Sequence, residues 1–283
     1  MWKRGSEVNK PNPLFEGPGP EFSVVVHAGQ ADEKAVRCRR VVTLIGSRSG
    51  CRLILKHRKV SAVHAAIIND GTDLLAIDLV SRLGTRQNDL QLSCERLNDT
   101  DRLTVHTWDL QVRIETSSVD EPDLDQLIAL EGAAPGLTLK HESTGNTLTP
   151  QREICIMGRR QGCDVVLSDN RVSRVHALLF SFRDQPAVFD LLSRNHTFVN
   201  DEAVEFCLLK DGDMLRLGDT EFKIQLLANA VAGGFNGRGQ LGGVQETGRS
   251  PEDTGSDLID IHTTESSQRW KIAEKSEKAS RKS

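Results

Sequence analysis

Three short polar blocks carry the chemistry of this chain. Gly158-Arg159 follows one apolar run. Asn170-Arg171-Val172-Ser173-Arg174-Val175-His176 leads into the next, and Ser193-Arg194-Asn195-His196-Thr197 follows a third. Together they offer guanidinium forks, a hydroxyl and a carboxamide. No acid or metal-ligand set converges with them, so they read as an anion site rather than a hydrolytic one. Arginine presents a planar fork of donors to a phosphate, and hydrogen bonds to an ionised partner are the strong ones. Ser173 and His176 also admit an enzymatic reading, as nucleophile and base. No third group orients the base and no oxyanion-hole motif accompanies it. The expectation is therefore no catalytic residue, no metal and no cofactor.

Such loops need a rigid frame. From Phe22 to Leu226 short apolar runs recur, among them Val41–Ile45, Ala65–Ile68, Leu74–Ile77, Ile154–Ile156, Ala177–Phe180 and Phe222–Leu226. Gly, Asp, Asn or Ser separates them, which is the punctuation of many short strands in a sandwich or barrel. The chain has 283 residues, 36 Lys plus Arg against 40 Asp plus Glu, and a net charge of −4. That balance disfavours a general nucleic-acid coat. No apolar run approaches the ~18 residues of a membrane span, and the first ten residues lack the apolar stretch of a secretory signal. The partners expected therefore include neither nucleic acid nor membrane. Six cysteines without a Cys-x-x-Cys pair read as reduced, mostly buried thiols in a cytoplasmic protein.

Composition divides the chain. Residues 1–20 are a proline-bearing, extended lead-in. Residues 116–135 are an acidic linker, in which Asp123–Leu130 has the pattern of one or two helical turns. After residue 228 six glycines cluster within eleven residues, followed by a Ser-, Glu- and Lys-rich tail. A segment of that composition buries too little apolar surface to offset its ordering entropy, so 229–283 is expected to be disordered. A short helix around Trp270-Lys271-Ile272 is the one element admitted there.

The chain also repeats itself. Shifted by 112 residues, Ile45–Ile114 aligns with Met157–Leu226 without a gap, with 21 identities over 70 positions. Unrelated sequences of ordinary composition match at roughly 6%. Two copies of one domain, at 21–115 and 136–228, follow. Each is long enough to be complete without stacking on its neighbour, as a solenoid unit must.

Gly158-Arg159, then Ser173-Arg174-Val175-His176, then Asp190-Leu191-Leu192-Ser193-Arg194-Asn195-His196-Thr197-Phe198-Val199-Asn200 resembles the forkhead-associated (FHA) domain. The likeness is good over 136–228 and looser over 21–115. It implies an all-β fold, two antiparallel β-sandwiches in tandem, and phosphothreonine-peptide binding through loops at one end. It also implies roles. Arg159 and Ser173 would hold the phosphate, and Arg174 would add a phosphate or backbone contact. Asn195 would bond the peptide backbone, and Arg171 would lie near the phosphate. Gly158 and Gly46 would set the turn, while His176 and His64 would brace the loop from inside. The family usually has Gly where His196 stands, a change that a left-handed backbone tolerates in His better than in most residues.

The first copy departs further. Ser47, Ala62 and Leu83 replace Arg159, Arg174 and Asn195, while Ser61, Gly84 and Thr85 are kept. It reads as degenerate, with Arg48 and Lys59 as the groups able to compensate. The resemblance implies a non-catalytic adaptor in Ser/Thr kinase signalling. Its partners would be a phosphothreonine protein or peptide, a Ser/Thr kinase or its substrate, and the chain's own tail once phosphorylated at Thr254, Thr263 or Thr264. The alternative is a phospho-independent scaffold or dimerisation protein that uses the same folds for docking.

Overall fold

A computed structural model describes residues 20–27, 29–30, 33–115, 136–227 and 270–272. The expectations for the lead-in, for the acidic linker with its helical turns, and for nearly all of the tail lie outside the described residues. Within them every regular element is a strand. The first copy opens with β1 (Glu21–Val26), β2 (Lys34–Cys38), β3 (Val42–Gly46) and β4 (Leu53–Ile54). It continues with β5 (Ala65–Asn69), β6 (Leu74–Asp78), β7 (Arg86–Gln87) and β8 (Leu90–Gln91). β9 (Cys94–Arg96), β10 (Arg102–Val105) and β11 (Trp108–Glu115) close it.

The second copy repeats the plan. β12 (Leu137–His141), β13 (Thr147–Leu148), β14 (Ile154–Gly158) and β15 (Val165–Leu167) come first. β16 (Ala177–Phe182), β17 (Gln185–Asp190), β18 (Thr197–Val199) and β19 (Glu202–Val204) follow. β20 (Phe206–Leu208), β21 (Met214–Leu217) and β22 (Thr220–Leu226) end the sandwich, and β23 (Trp270–Ile272) returns from the tail.

Each copy is two sheets face to face. In the first, β2-β1-β11-β10-β7-β8 packs on β4-β3-β5-β6-β9; in the second, β13-β12-β22-β21-β18-β19 packs on β20-β17-β16-β14-β15-β23. Each has its own core, one built around Phe22, Ile45, Ile67 and Leu110, the other around Leu137, Met157, Leu179 and Phe222. The sheets depart from the expected antiparallel pattern at the same place in both copies. β3–β4 and β14–β15 run parallel, because the chain loops back over the sheet end between them. The tail departs too. Trp270–Ile272 is not helical but a strand, paired parallel to Val165–Leu167 at the sheet edge. An exposed edge offers unpaired N–H and C=O groups to any extended segment within reach.

A third apolar cluster joins the two sandwiches. Side chains alternate across a strand. On β5, Ala65 and Ile67 face the first core while Ala66 and Ile68 face away; on β16, Ala177 and Leu179 face the second core while Leu178, Phe180 and Phe182 face away. The outward sets meet each other, with Leu75 and Ile77 on one side and Ile156, Phe189 and Phe206 on the other. Each copy thus has a core of its own, and a third core is shared between them.

The contacts around that shared core are two-fold symmetric. Arg48 donates a guanidinium hydrogen bond to the Leu192 carbonyl, and its repeat-equivalent Arg160 donates to the Val80 carbonyl, equivalent to Leu192. A Cβ on Gly50 would meet Leu192 Cδ1 at 2.7 Å, and one on Gly162 would meet Val80 Cγ1 at 2.9 Å. Both acceptor residues are left-handed, Val80 at φ 50° and Leu192 at φ 53°. That conformation is costly for a β-branched valine, and it turns each carbonyl toward the other sandwich.

Candidate functional site

The three polar blocks come together at one end of the second sandwich. Arg159 leaves the end of β14, residues 168–176 connect β15 to β16, and residues 191–196 connect β17 to β18. The Arg159 and Arg160 amides donate to the Ser173 and Arg174 carbonyls, at 2.9 Å each, so the first loop lies flat on the strand end. Gly158 permits this. A Cβ there would collide with the Arg174 carbonyl oxygen, and one on Gly46 would collide with that of Ala62. Neither glycine needs a left-handed backbone, so the expected role in setting a turn is corrected to one of close approach. Gly158→Ala is expected to push the loop outward, costing about 1–3 kcal/mol of stability, measurable as a lower midpoint in urea.

His176 holds the loop from beneath. It is fully buried. Its Nδ1 accepts from the Ser173 amide at 2.9 Å, which leaves the proton on Nε2 to donate to the His196 carbonyl at 3.1 Å. Neither ring nitrogen faces the Ser173 hydroxyl, so the pair is not arranged as base and nucleophile. The turn after β17 is fixed by Asp190, which accepts from the Ser193 amide, the Ser193 hydroxyl and the Thr197 hydroxyl. His196 takes φ 60°, the left-handed backbone expected at its position. Cys163 adds a contact from below, donating its Sγ–H to the Arg174 carbonyl at 3.4 Å. Burial pushes that thiol up to about 12, which suits a structural group and not a nucleophile.

The outward groups are then set. Arg159 donates Nε to the Val172 carbonyl at 3.2 Å, which anchors the guanidinium on the loop while the residue stays exposed. Ser173 Oγ accepts from the Arg194 amide at 3.0 Å, so its own proton is available to a ligand. Arg174 is exposed beside them. Asn195 donates Nδ2 to the Arg171 carbonyl at 2.7 Å and keeps Oδ1 as an acceptor. Arg171 is not a bare cation: it is paired with Asp219 at 2.7 Å, both side chains exposed. Arg159, Arg171, Ser173 and Arg174 line one cavity of about 810 Å³; Asn195 lies outside its lining.

The FHA domain family model matches residues 43–106 and 155–218, one in each sandwich. The chain is a tandem FHA-domain protein. It is 27% identical over 157 residues to the glycogen accumulation regulator GarA of Mycobacterium tuberculosis, covering 53% of this chain and 96% of that one. It is 33% identical over 88 residues to the oxoglutarate dehydrogenase inhibitor of Corynebacterium jeikeium, covering 31% and 61% respectively. A solved structure from work on phosphothreonine-dependent FHA domain interactions is 33% identical over 32% of this chain and 95% of its own, with a TM-score of 0.31.

The first FHA domain keeps the frame and changes the outward groups. His64 repeats His176, taking the Ser61 amide on Nδ1 at 3.0 Å and giving Nε2–H to the Gly84 carbonyl at 3.2 Å. Asp78 accepts from the Ser81 amide and the Thr85 hydroxyl, as Asp190 does in the second domain. Ser61 Oγ accepts from the Arg82 amide at 3.1 Å. Ser47, in place of Arg159, donates to the Val60 and Ser61 carbonyls and so satisfies the loop without presenting a charge. Leu83 is 52% exposed in place of Asn195. Arg48 does not replace Arg159, because its guanidinium reaches the Leu192 carbonyl of the other domain.

Burial holds the His176 imidazole below its ordinary 6.5, against its hydrogen bond to His196 and the charges of Asp190 and Asp169. The native ring stays neutral where the unfolded one takes up a proton. Stability is therefore expected to fall as pH drops below about 6.5 and to level off once the native ring also titrates. Urea denaturation across that range checks the sign; a midpoint that rises toward acid would contradict it.

Proposed function

We propose that this chain is a non-catalytic, phosphothreonine-dependent adaptor in Ser/Thr kinase signalling, and that its second FHA domain holds the phosphate. The observation that carries this reading is the contrast between two equivalent positions. Arg159 is an exposed guanidinium anchored through Nε, whereas the Ser47 hydroxyl is used on the Val60 and Ser61 carbonyls and brings no charge. A phosphothreonine has roughly −1.5 to −2 charges near pH 7, which Arg159, Arg174 and the Ser173 hydroxyl complement. The partner would be a kinase or a kinase substrate, met in the cytoplasm, where six free thiols are at home. Calorimetric titration of the full chain with a degenerate phosphothreonine peptide library and its unphosphorylated twin tests this. Binding of the phosphorylated library alone is the expected result; equal affinity for both sinks it.

One observation favours a second ligand, the chain's own tail. β23 pairs parallel with β15 on the second domain, so that Ile272 lies beside Leu167, where the loop carrying Ser173 begins, and Trp270 lies two residues back from it beside Val165. Thr264 stands six residues before Trp270, and that length spans at most about 20 Å when extended. Phosphorylation of Thr263 or Thr264 would then place a competitor near the site at an effective concentration in the millimolar range. The kinase-treated full chain should bind an outside phosphopeptide more weakly than a version ending at residue 230. Equal binding by the two would remove the tail from the account.

A further inference from the structure

The cavity beside Arg159 does not belong to the second FHA domain alone. Its wall crosses the two-fold relation between the domains, and nearly every lining residue has its repeat-equivalent on the opposite side. Ser61 faces Ser173, Val60 faces Val172, Val63 faces Val175 and Leu79 faces Leu191. Five arginines come from the second domain: Arg159, Arg160, Arg171, Arg174 and Arg194. Three come from the first: Arg48, Arg58 and Arg82. No Asp or Glu lines it.

Two of these charges have structural work, since Arg48 and Arg160 each bridge to a carbonyl of the other domain. Arg171 is the one lining arginine with a carboxylate partner among the described residues. The remaining guanidiniums are exposed and line one open cleft, where no carboxylate offsets their like charge. A single phosphate on Arg159, Ser173 and Arg174 leaves Arg58 and Arg82 across the axis uncompensated. Both line the cavity with Ser61, whose hydroxyl accepts from the Arg82 amide just as that of Ser173 accepts from Arg194. The first domain thus lacks the anchored arginine needed to hold a phosphate alone, yet retains a hydroxyl and two cations directed at the same space.

We propose that the cavity is one composite site for a doubly phosphorylated segment. One phosphothreonine sits on the loops of the second domain, and a second phosphate of the same peptide sits on Ser61, Arg58 and Arg82 of the first. The inference rests on the reading of the second domain as a phosphothreonine site. The first domain acts as the weaker half of a pair, effective because the peptide already held delivers the second phosphate intramolecularly.

The test uses the full chain and three peptide sets: unphosphorylated, carrying one phosphothreonine, and carrying that residue plus a second at each position within about six residues on either side, a reach of ~20 Å. The best doubly phosphorylated peptide should bind one to one and about tenfold or more tighter than its singly phosphorylated parent. Arg58→Ala with Arg82→Ala should erase that gain and leave the singly phosphorylated affinity within about twofold. Ser61→Ala should reduce the gain in part, with an unchanged melting temperature. If the single phosphopeptide binds and no second phosphate adds affinity, or if the gain survives in the double variant, the composite site is wrong while the simpler reading stands. If no phosphopeptide binds at all, both fall.

Discussion

Arg159→Ala is expected to weaken phosphothreonine-peptide binding by more than a hundredfold while the protein melts as before. Arg159 is exposed, and its side chain bonds from Nε to the Val172 carbonyl at 3.2 Å. Its loss therefore removes a charged fork and almost no packing. A hydrogen bond to a charged group contributes about 1.5–3 kcal/mol, and the fork makes two. His176→Ala should behave in the opposite way. It removes a fully buried ring and orphans the Ser173 amide and the His196 carbonyl. A cavity and two unsatisfied groups together cost about 3 kcal/mol or more. Calorimetry and thermal melting on the two variants separate the roles. An Arg159→Ala protein that unfolds, beside a His176→Ala protein of unchanged stability, would mean that the two assignments are reversed.

The second large effect concerns the shared core. Phe180 is buried between the domains, with the Phe206 ring at 6.3 Å. Phe180→Asp places an unpaired carboxylate in an apolar interface, at a cost of several kcal/mol. The wild-type chain should unfold in one cooperative transition, because the common cluster couples both sandwiches. The variant should show two transitions, the second domain melting first, and a larger radius of gyration in solution scattering. A single unshifted transition would contradict the coupling. For the same reason the isolated segment 136–228 is expected to self-associate: it uncovers Leu178, Phe180, Phe182, Phe189 and Phe206 at once.

Much of the frame was legible in the sequence because strands leave short-range marks. Ala65–Ile68, Leu74–Ile77 and Ala177–Phe180 became β5, β6 and β16 with nearly the same ends. The blocks that meet at one end of the second sandwich were legible for a related reason. Arg159, Ser173 and Arg174 sit in contiguous motif blocks whose order survives folding. The docking of the two copies leaves a mark there too. β5 and β16 are apolar at successive positions rather than alternate ones, so both faces must be covered. One core covers one face, and the other sandwich covers the second.

Other features leave no local trace. Arg48 meets Leu192 at a separation of 144 residues, and Arg160 meets Val80 at 80. Nothing in the composition of either stretch names its partner. Gly158 is a similar case: a glycine at a strand end suggests a turn, and only the packed loop shows a carbonyl occupying the space of a Cβ. Trp270-Lys271-Ile272 reads as a helix fragment in isolation and becomes a strand because the edge of β15 is beside it.

The central claim is that a phosphothreonine peptide sits on the loops of the second sandwich. Backbone amide shifts of the full chain, recorded during titration with one phosphothreonine peptide, test it most directly. Saturable changes centred on Arg159, Ser173, Arg174 and Asn195 are expected, absent with the unphosphorylated twin. Changes centred on Ser47, Ser61 and Leu83 instead, or the same changes with the unphosphorylated peptide, would contradict it.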